Sequence, residues 1–297
     1  MYCSLGYKCN NNCLTCPIDP KLRETAFVKE KQIRDFIEAR GIGVGDKITF
    51  SGGEPTLYPK LISLTRWCAE LLGSEVEILT NARCLANSHL AEALSEIHRV
   101  QITTAIYSSE RELHDQITRR KASFDETISG ITQALSYGIR VVLKTVISKL
   151  NYRLLPDIFA MLLQRFPQVD DFIVYGTDWT GNALRNISIL FISNSEIAPF
   201  LEEAAFRVTD AGKTIQIRLF PLCLLDPALW PLAIDTYPNE AAGDCLFTPE
   251  SEIVDFEIPA AHVQKQCECC LIQRFCGQTW DSYFDVFGSH ELCHIHL

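Results

Sequence analysis

Cys9-Asn10-Asn11-Asn12-Cys13-Leu14-Thr15-Cys16 places three thiols within eight residues, in the spacing C-x3-C-x2-C. Such a set can wrap one metal centre. Tetrahedral zinc wants a fourth Cys or His close by, and none follows at knuckle spacing. An iron–sulfur cubane usually takes four cysteines, so a set of three leaves one iron open to a non-protein ligand. Pro17 and the three asparagines mark a loop able to fold around such a centre; the plainer reading is a set of stray thiols. A second stretch, Ser51-Gly52-Gly53-Glu54-Pro55-Thr56, follows the strand-like Lys47-Ile48-Thr49-Phe50. Glycines let a backbone approach a ligand closely, and a carboxylate beside them can receive an ammonium group, although a type I turn favours the same residues.

Outward from these stretches, the chain alternates short β-branched runs with longer amphipathic ones to about residue 215, the pattern of a parallel α/β domain. Strands are predicted over residues 2–5, 47–50, 75–80, 100–106, 140–147 and 171–175. Helices are predicted over 29–39, 60–72, 88–97, 123–137 and 152–166, with Ser123 or Asp125 capping the fourth and Gly138 stopping it. Six strands suit a partial barrel of TIM type, (β/α)6, rather than a closed one of eight. Reactive groups in parallel barrels collect on the loops after the strands, and both opening stretches lie there.

The whole chain has 297 residues, 47% of them hydrophobic, with a formal charge of −10. That is enough for one large domain or a large and a small one. The acidic balance argues against a nucleic-acid partner. No run approaches the roughly 18 apolar residues of a membrane span, and Met1-Tyr2-Cys3 leads straight into the motif without a signal peptide, so a cytoplasmic protein is expected. Thirteen cysteines in a reducing compartment point to metal rather than disulfides. Cys3, Cys68 and Cys84 read as small apolar residues.

The paired motifs resemble those of the radical S-adenosylmethionine (SAM) enzymes, whose signature is C-x3-C-x2-C on the loop after the first barrel strand. The resemblance implies that Cys9, Cys13 and Cys16 hold a [4Fe-4S] cluster whose open iron binds the methionine moiety of SAM, and that electron transfer gives a 5′-deoxyadenosyl radical. It implies that Gly52, Gly53, Glu54 and Pro55 hold the methionine end. Leu79-Thr80-Asn81 resembles the family's Thr-Asn-Gly, with Ala82 where Gly is common, so Asn81 reads either as a ligand contact or as a turn residue. Ser108 resembles the family's Ser-rich strand end and reads as a ribose or carboxylate contact, or as a cap. His114-Asp115 reads as local structure rather than acid–base machinery. Lys144 and Asn151 are expected to reach inward to the cofactor.

Gly176-Thr177-Asp178-Trp179-Thr180-Gly181-Asn182-Ala183 narrows the resemblance to the radical maturases of the His-Xaa-Ser peptide system and their relatives. Its backbone is expected to line the adenine side, and Asp178 to stand at the barrel mouth as a candidate catalytic carboxylate. From Leu219 the chain becomes proline-rich, with Pro221, Pro227, Pro231 and Pro238, and no helix is expected there. Then come Cys245, Cys267, Cys269, Cys270, Cys276 and Cys293. Cys267-x2-Cys270-x5-Cys276 resembles the SPASM pattern, but Trp280 stands where another Cys would follow, which favours one auxiliary cluster of the shorter twitch type.

One cubane wants four thiolates; the resemblance makes Cys223 the fourth, with Cys245 and Cys293 as competitors and a zinc site as the alternative. Cys269 is expected to point away. The division is therefore 1–215, a barrel, and 216–297, a small cluster-binding domain. The resemblance implies two [4Fe-4S] clusters, SAM, an electron donor of flavodoxin or ferredoxin type, a ribosomally made precursor peptide as substrate and a separate leader-binding protein. Outcomes in that class include backbone splicing with tyramine excision, crosslinking and epimerisation. The rivals are a small-molecule dehydrogenase of the same superfamily and a non-catalytic iron–sulfur or zinc protein.

Overall fold

The computed structural model describes residues 1–233, 244–247, 253–256, 264–276, 281–293 and 295. Pro238 and Trp280 lie outside the described residues, as does the side chain of Cys245. The six expected strands form: β1 (Tyr2–Ser4), β2 (Lys47–Ser51), β3 (Glu75–Thr80), β4 (Val100–Ala105), β5 (Arg140–Val146) and β6 (Asp171–Tyr175). A seventh, β7 (Thr214–Arg218), was not expected, although its alternation of exposed and buried residues is the signal of a half-buried strand. It carries the sheet across residue 215. Two further strands, β8 (Asp244–Phe247) and β9 (Ile253–Phe256), add to the other edge, giving the order β7-β6-β5-β4-β3-β2-β1-β8-β9. β1 to β7 run parallel, each beside its neighbour in sequence, so the sheet is an open α/β arc of partial-barrel type.

Helices return the chain between strands: α1 (Glu30–Ala39), α2 (Leu61–Arg66), α3 (Ser88–Ser95), α4 (Arg111–Thr118), α5 (Ser123–Ser136), α6 (Leu155–Arg165), α7 (Gly181–Arg185), α8 (Ile187–Leu190) and α9 (Asn194–Asp210). The cap of α5 is neither Ser123 nor Asp125. Asp115, within α4, accepts from the Ala122 and Phe124 amides at 2.6 and 2.9 Å and from the Ser123 hydroxyl at 2.9 Å. Past Leu219 the prolines do not abolish helix: single turns form at Leu222–Leu224, Pro227–Leu229 and α10 (Trp230–Ala233), with Pro227 starting its turn, where its missing N–H costs nothing. A last helix, α11, spans Asp281–Phe287.

The two faces of the sheet differ in chemistry. One row, including Cys3, Ile48, Phe50, Ile78, Ile102, Leu143, Phe172, Val174, Ile215 and Ile217, is buried in the main core. Register pairs place Thr49, Glu77, Gln101, Lys144, Tyr175, Gln216 and Arg218 on the opposite face. There Glu77 pairs with Lys47 at 3.0 Å and accepts from Thr49 at 2.8 Å, from Gln101 and from Thr103. A polar inner face is what an enclosed ligand needs; it packs no core.

Candidate active site

The loop carrying Cys9, Cys13 and Cys16 leaves β1 and is tied down on several sides. Its Asn12 and Leu14 amides donate to the carbonyls of Thr118 and Ile117 at the end of α4, at 3.0 and 2.8 Å. The buried Arg83 guanidinium donates to the Asn10 carbonyl at 2.7 Å and the Asn11 side chain at 2.8 Å, while Arg23 donates to the Asn11 carbonyl at 2.9 Å and the Asn12 side chain at 2.8 Å. From the far side, Asn182 Nδ2 donates to the Cys13 carbonyl at 2.6 Å and the Ala183 amide to that of Cys16 at 2.9 Å. A side chain on Gly181 would come within 2.1 Å of the Pro17 carbonyl, which is why glycine stands there. The Thr180 to Ala183 element thus clasps the Cys loop.

The second motif holds the same loop. A Cβ on Gly53 would sit 2.2 Å from the Lys8 carbonyl and one on Gly52 2.3 Å from that of Gly6. The Gly53 and Glu54 amides donate to the Gly6 and Lys8 carbonyls at 2.8 and 2.7 Å. Glu54, 2% exposed, accepts from the Thr56 amide and hydroxyl, the Thr80 hydroxyl and the Asn81 amide, and caps the single turn Pro55–Leu57. Burial raises its carboxyl above the usual range, against those four donors. Asn81 in turn donates to the Asn10 side chain at 2.7 Å and points its amide at the Cys9 sulfur at 3.9 Å. Ala82, at the position where the resemblance makes glycine common, adopts the left-handed conformation, φ 60°, that glycine favours.

At the ends of β4 and β5 the expected contacts turn inward. Ser108 is fully buried and accepts from the Glu110 amide at 2.9 Å. Asn151, also fully buried, accepts from the Ser148 amide and hydroxyl and donates to the Tyr107 and Val146 carbonyls, both at 2.9 Å. Its hydrogen-bonding capacity goes to joining the two strand ends. His114 accepts at Nδ1 from the Tyr107 amide at 3.3 Å, and burial pulls its pKa down to about 4, so the ring is neutral.

Lys144 and Asp178 behave differently. The Lys144 ammonium lies 4.8 Å from the centre of the Tyr175 ring and has no hydrogen bond or ion pair among the described residues. Burial lowers its pKa. Asp178 is half-buried; its carboxyl is raised by burial and accepts from the Thr180 hydroxyl at 3.0 Å. The two lie close enough to sense each other's charge.

The later cysteines converge. Cys223, Cys267, Cys270, Cys276 and Cys293 line one cavity, walled by Pro221, Ile272, Phe284 and Leu292. The Cys293 amide donates to the Cys223 sulfur at 3.5 Å and the Leu222 amide to the Cys276 sulfur at 3.3 Å. Cys269 is exposed. Cys3 and Cys68 are fully buried, while Cys84 is half-buried and accepts from Asn10 at 3.7 Å.

Both groups fit iron–sulfur clusters by donor chemistry: several thiols, amide donors aimed at sulfur, and apolar walls. Burial holds Cys9 up to about 11 and Cys13 up to about 12, a cost that a bound metal would remove by keeping the thiolates. Among the described residues, no group of three His, Cys, Asp or Glu side chains closes on a common point at metal-ligand distance. The thiols surround their sites rather than meet. Arg83 and the Glu77 network are site residues that the motifs do not announce; they are isolated polar residues placed by tertiary packing.

Comparison with known proteins agrees on the class. Residues 3–162, more than half of the chain, match the Radical SAM superfamily model. A probable GTP 3′,8-cyclase of Sulfurisphaera tokodaii is 28% identical over 163 residues, 54% of this chain and 51% of that protein. The Fe-coproporphyrin III synthase of Methanosarcina barkeri is 30% identical over 159 residues, 52% of this chain and 38% of that protein. The chain thus spans about half or less of the curated relatives it matches. In fold it is similar to Streptococcus suis SuiB bound to S-adenosylmethionine, with TM-score 0.59 and 16% identity over 84% of this chain and 53% of that one. It is also similar to anSMEcpe with bound AdoMet, with TM-score 0.55 and 14% identity over 73% of this chain and 61% of that one. With its three thiols on the loop after β1 and its open parallel sheet, this chain belongs to the radical SAM superfamily.

Proposed function

We propose that the chain is a radical SAM maturase of a ribosomally made precursor peptide, with one cluster at Cys9, Cys13 and Cys16 and a second at Cys223, Cys267, Cys270 and Cys276. When bound, the first cluster and SAM supply one-electron cleavage of the sulfonium and a radical able to remove hydrogen from an unactivated carbon. The protein's share is positioning. Gly52 and Gly53 bring backbone against the Cys loop, and Glu54 and Asn81 brace it, leaving the strand-end backbone to the methionine end. Lys144, whose ammonium has no ionic partner among the described residues, takes the carboxylate. Ser108 and Asn151 hold the β4 and β5 ends in place around it. Asp178, whose carboxyl burial raises above its ordinary range, faces the substrate as a candidate to hold or accept a proton. The barrel runs through β7 and the cluster-binding segment follows; an electron donor of flavodoxin or ferredoxin type and a separate leader-binding protein complete the system in the cytoplasm.

The observation that carries this reading is the second set of thiols around one cavity. A small-molecule reading is favoured by one finding: the curated relatives include probable GTP 3′,8-cyclases. Their matched span is 54% of this chain or less, whereas the likeness in fold to SuiB, one structure of which holds precursor peptide SuiA, runs over 84% in its SAM-bound form. The test is anaerobic reconstitution followed by dithionite and SAM, with candidate precursor peptide plus leader-binding protein in one arm and GTP in another. Peptide-dependent 5′-deoxyadenosine with a changed peptide mass is expected, as splicing, crosslink or epimerisation. Turnover of GTP without any change in peptide would overturn the reading.

A further inference from the structure

Among the described residues five thiols line the back cavity, and a cubane takes four. Three of them, Cys267, Cys270 and Cys276, come from one short segment, as the front three do. The other two come from elsewhere and meet each other. Cys223 stands on the turn after β7, Cys293 follows α11, and the Cys293 amide donates to the Cys223 sulfur at 3.5 Å. Two neighbouring thiols therefore face the one place that the segment of three leaves open.

The two are not alike. Cys223 is half-buried and its sulfur accepts an amide, the kind of partner that suits a ligand thiolate. Cys293 is exposed, and its sulfur donates to the Glu291 carbonyl at 3.8 Å, a role that takes the protonated thiol. Nor is Cys293 a stray, because the chain is fastened on both sides of it. Glu291 accepts from the Ser195 amide at 3.1 Å and from the Tyr283 hydroxyl, and the Ile295 carbonyl accepts from the Leu271 amide at 3.2 Å, inside the segment of three. A stretch tied to the barrel at one end and to the other thiols at its far end keeps its cysteine at the cavity. Turning the Cys293 side chain between its staggered wells moves the sulfur between the Glu291 carbonyl and the cavity that it lines.

We propose that Cys293 is a reserve ligand, able to replace Cys223 at the fourth corner of the back cluster, so that this corner can be vacated and refilled without loss of the cluster. The inference rests on the assignment of the back thiols to a cluster. In the replacement one iron–sulfur bond breaks and another forms, and the proton of the incoming Cys293 thiol passes to the departing Cys223 thiolate. No electron moves, so no oxidant or reductant is called for. The replacement is local to one corner, because it is the Cys223 sulfur that the Cys293 amide meets.

The experiment uses full-length protein reconstituted anaerobically, with iron and sulfide counts and with iodoacetamide labelling read by peptide mass spectrometry. Cys269, which is exposed, is the internal standard for labelling. In wild type Cys293 should label and Cys223 should not. In Cys223→Ala iron should stay at about eight per chain, as for two cubanes, while labelling of Cys293 falls to background. Cys223→Val, which also removes the thiol, repeats the reading should alanine disturb the turn. Removing both, Cys223→Ala with Cys293→Ala, should cost about half the iron. The proposal is overturned by protection of Cys293 in loaded wild type, by loss of the back iron in Cys223→Ala alone, by labelling of Cys293 in fully loaded Cys223→Ala, or by full iron in the double variant. Wild type that binds only about four irons would instead overturn the second cluster on which the proposal rests.

Discussion

Around Cys9, Cys13 and Cys16 the chain is bound from β2, β3, α4 and α7, whereas Cys223, Cys267, Cys270, Cys276 and Cys293 arrive from three separate segments. Among the described residues, the amides of Leu222 and Cys293 donate to the sulfurs of Cys276 and Cys223. The difference is one of bracing among the described residues: the front loop is tied by many protein hydrogen bonds and the back sulfurs by fewer. If the back thiols hold the second cluster proposed above, metal binding and local folding there would be one event. The most direct way to break this contrast is to delete a ligand from each side. Cys13→Ala should bring SAM cleavage to background, while Cys276→Ala should remove about half the iron and leave the front cluster and its spectrum in place. Iron and sulfide counts with 5′-deoxyadenosine assays would measure both. Loss of front iron in Cys276→Ala would show that the two sites assemble together, and the contrast would be gone.

A loop so braced should also fail when its braces are cut with every cysteine intact. Arg83 is 8% exposed and joins the Asn10 carbonyl, the Asn11 side chain and the Glu126 carboxylate. Arg83→Met leaves those acceptors stranded, and stability should fall by about 3–4 kcal/mol, the scale for breaking a buried charged network. Front-cluster loading should fall with it while the back site fills normally. Denaturant melts and iron counts on separately purified variants would settle it. Normal front loading in a destabilised variant would mean that the cluster, not the protein, shapes the loop.

His114 sharpens the same point by titration. Its folded pKa, about 4, lies below its ordinary value near 6.5. Between these values the unfolded chain binds the extra proton, so stability rises with pH and is lost as pH falls from about 6.5 towards 4. The full loss is about 3 kcal/mol. His114→Phe should flatten that acid limb in denaturation midpoints measured across the window; an unchanged limb would place the acid sensitivity elsewhere.

How much of this was legible in the sequence follows the range of each interaction. The C-x3-C-x2-C loop, the Gly-Gly-Glu turn and six strands are local patterns, and they stand where reading placed them. β7 was readable from the alternation in Thr-Ile-Gln-Ile-Arg, yet it was missed, because five residues at the close of a long helix carry little signal. Glu54 shows the limit more plainly. Sequence gives a carboxylate beside two glycines, but nothing in it says that Thr80 and Asn81, some 26 residues on, arrive to occupy its oxygens. Asn151 was likewise legible as polar at a strand end, and only the fold shows its four bonds spent on Ser148, Val146 and Tyr107.

Lys144 gives the smallest expected effect and a distinctive sign. Burial lowers its pKa below the ordinary lysine value, near 10.4, and it has no ionic partner among the described residues. If its ammonium holds the SAM carboxylate, affinity is full below the folded pKa and declines as pH rises through it, earlier than an exposed lysine would allow. Stability of the free protein moves the opposite way. Between the folded and unfolded pKa values the unfolded chain holds the extra proton, so stability rises with pH there. Lys144→Met should therefore weaken SAM binding about tenfold at neutral pH, the scale of one charge-assisted hydrogen bond at about 1.5 kcal/mol, and remove both slopes. Binding isotherms and melts between neutral and alkaline pH would show whether affinity falls while stability rises. If the two move together, or if Lys144→Met binds as well as wild type, the cation belongs to the fold and the front site holds its ligand by backbone alone.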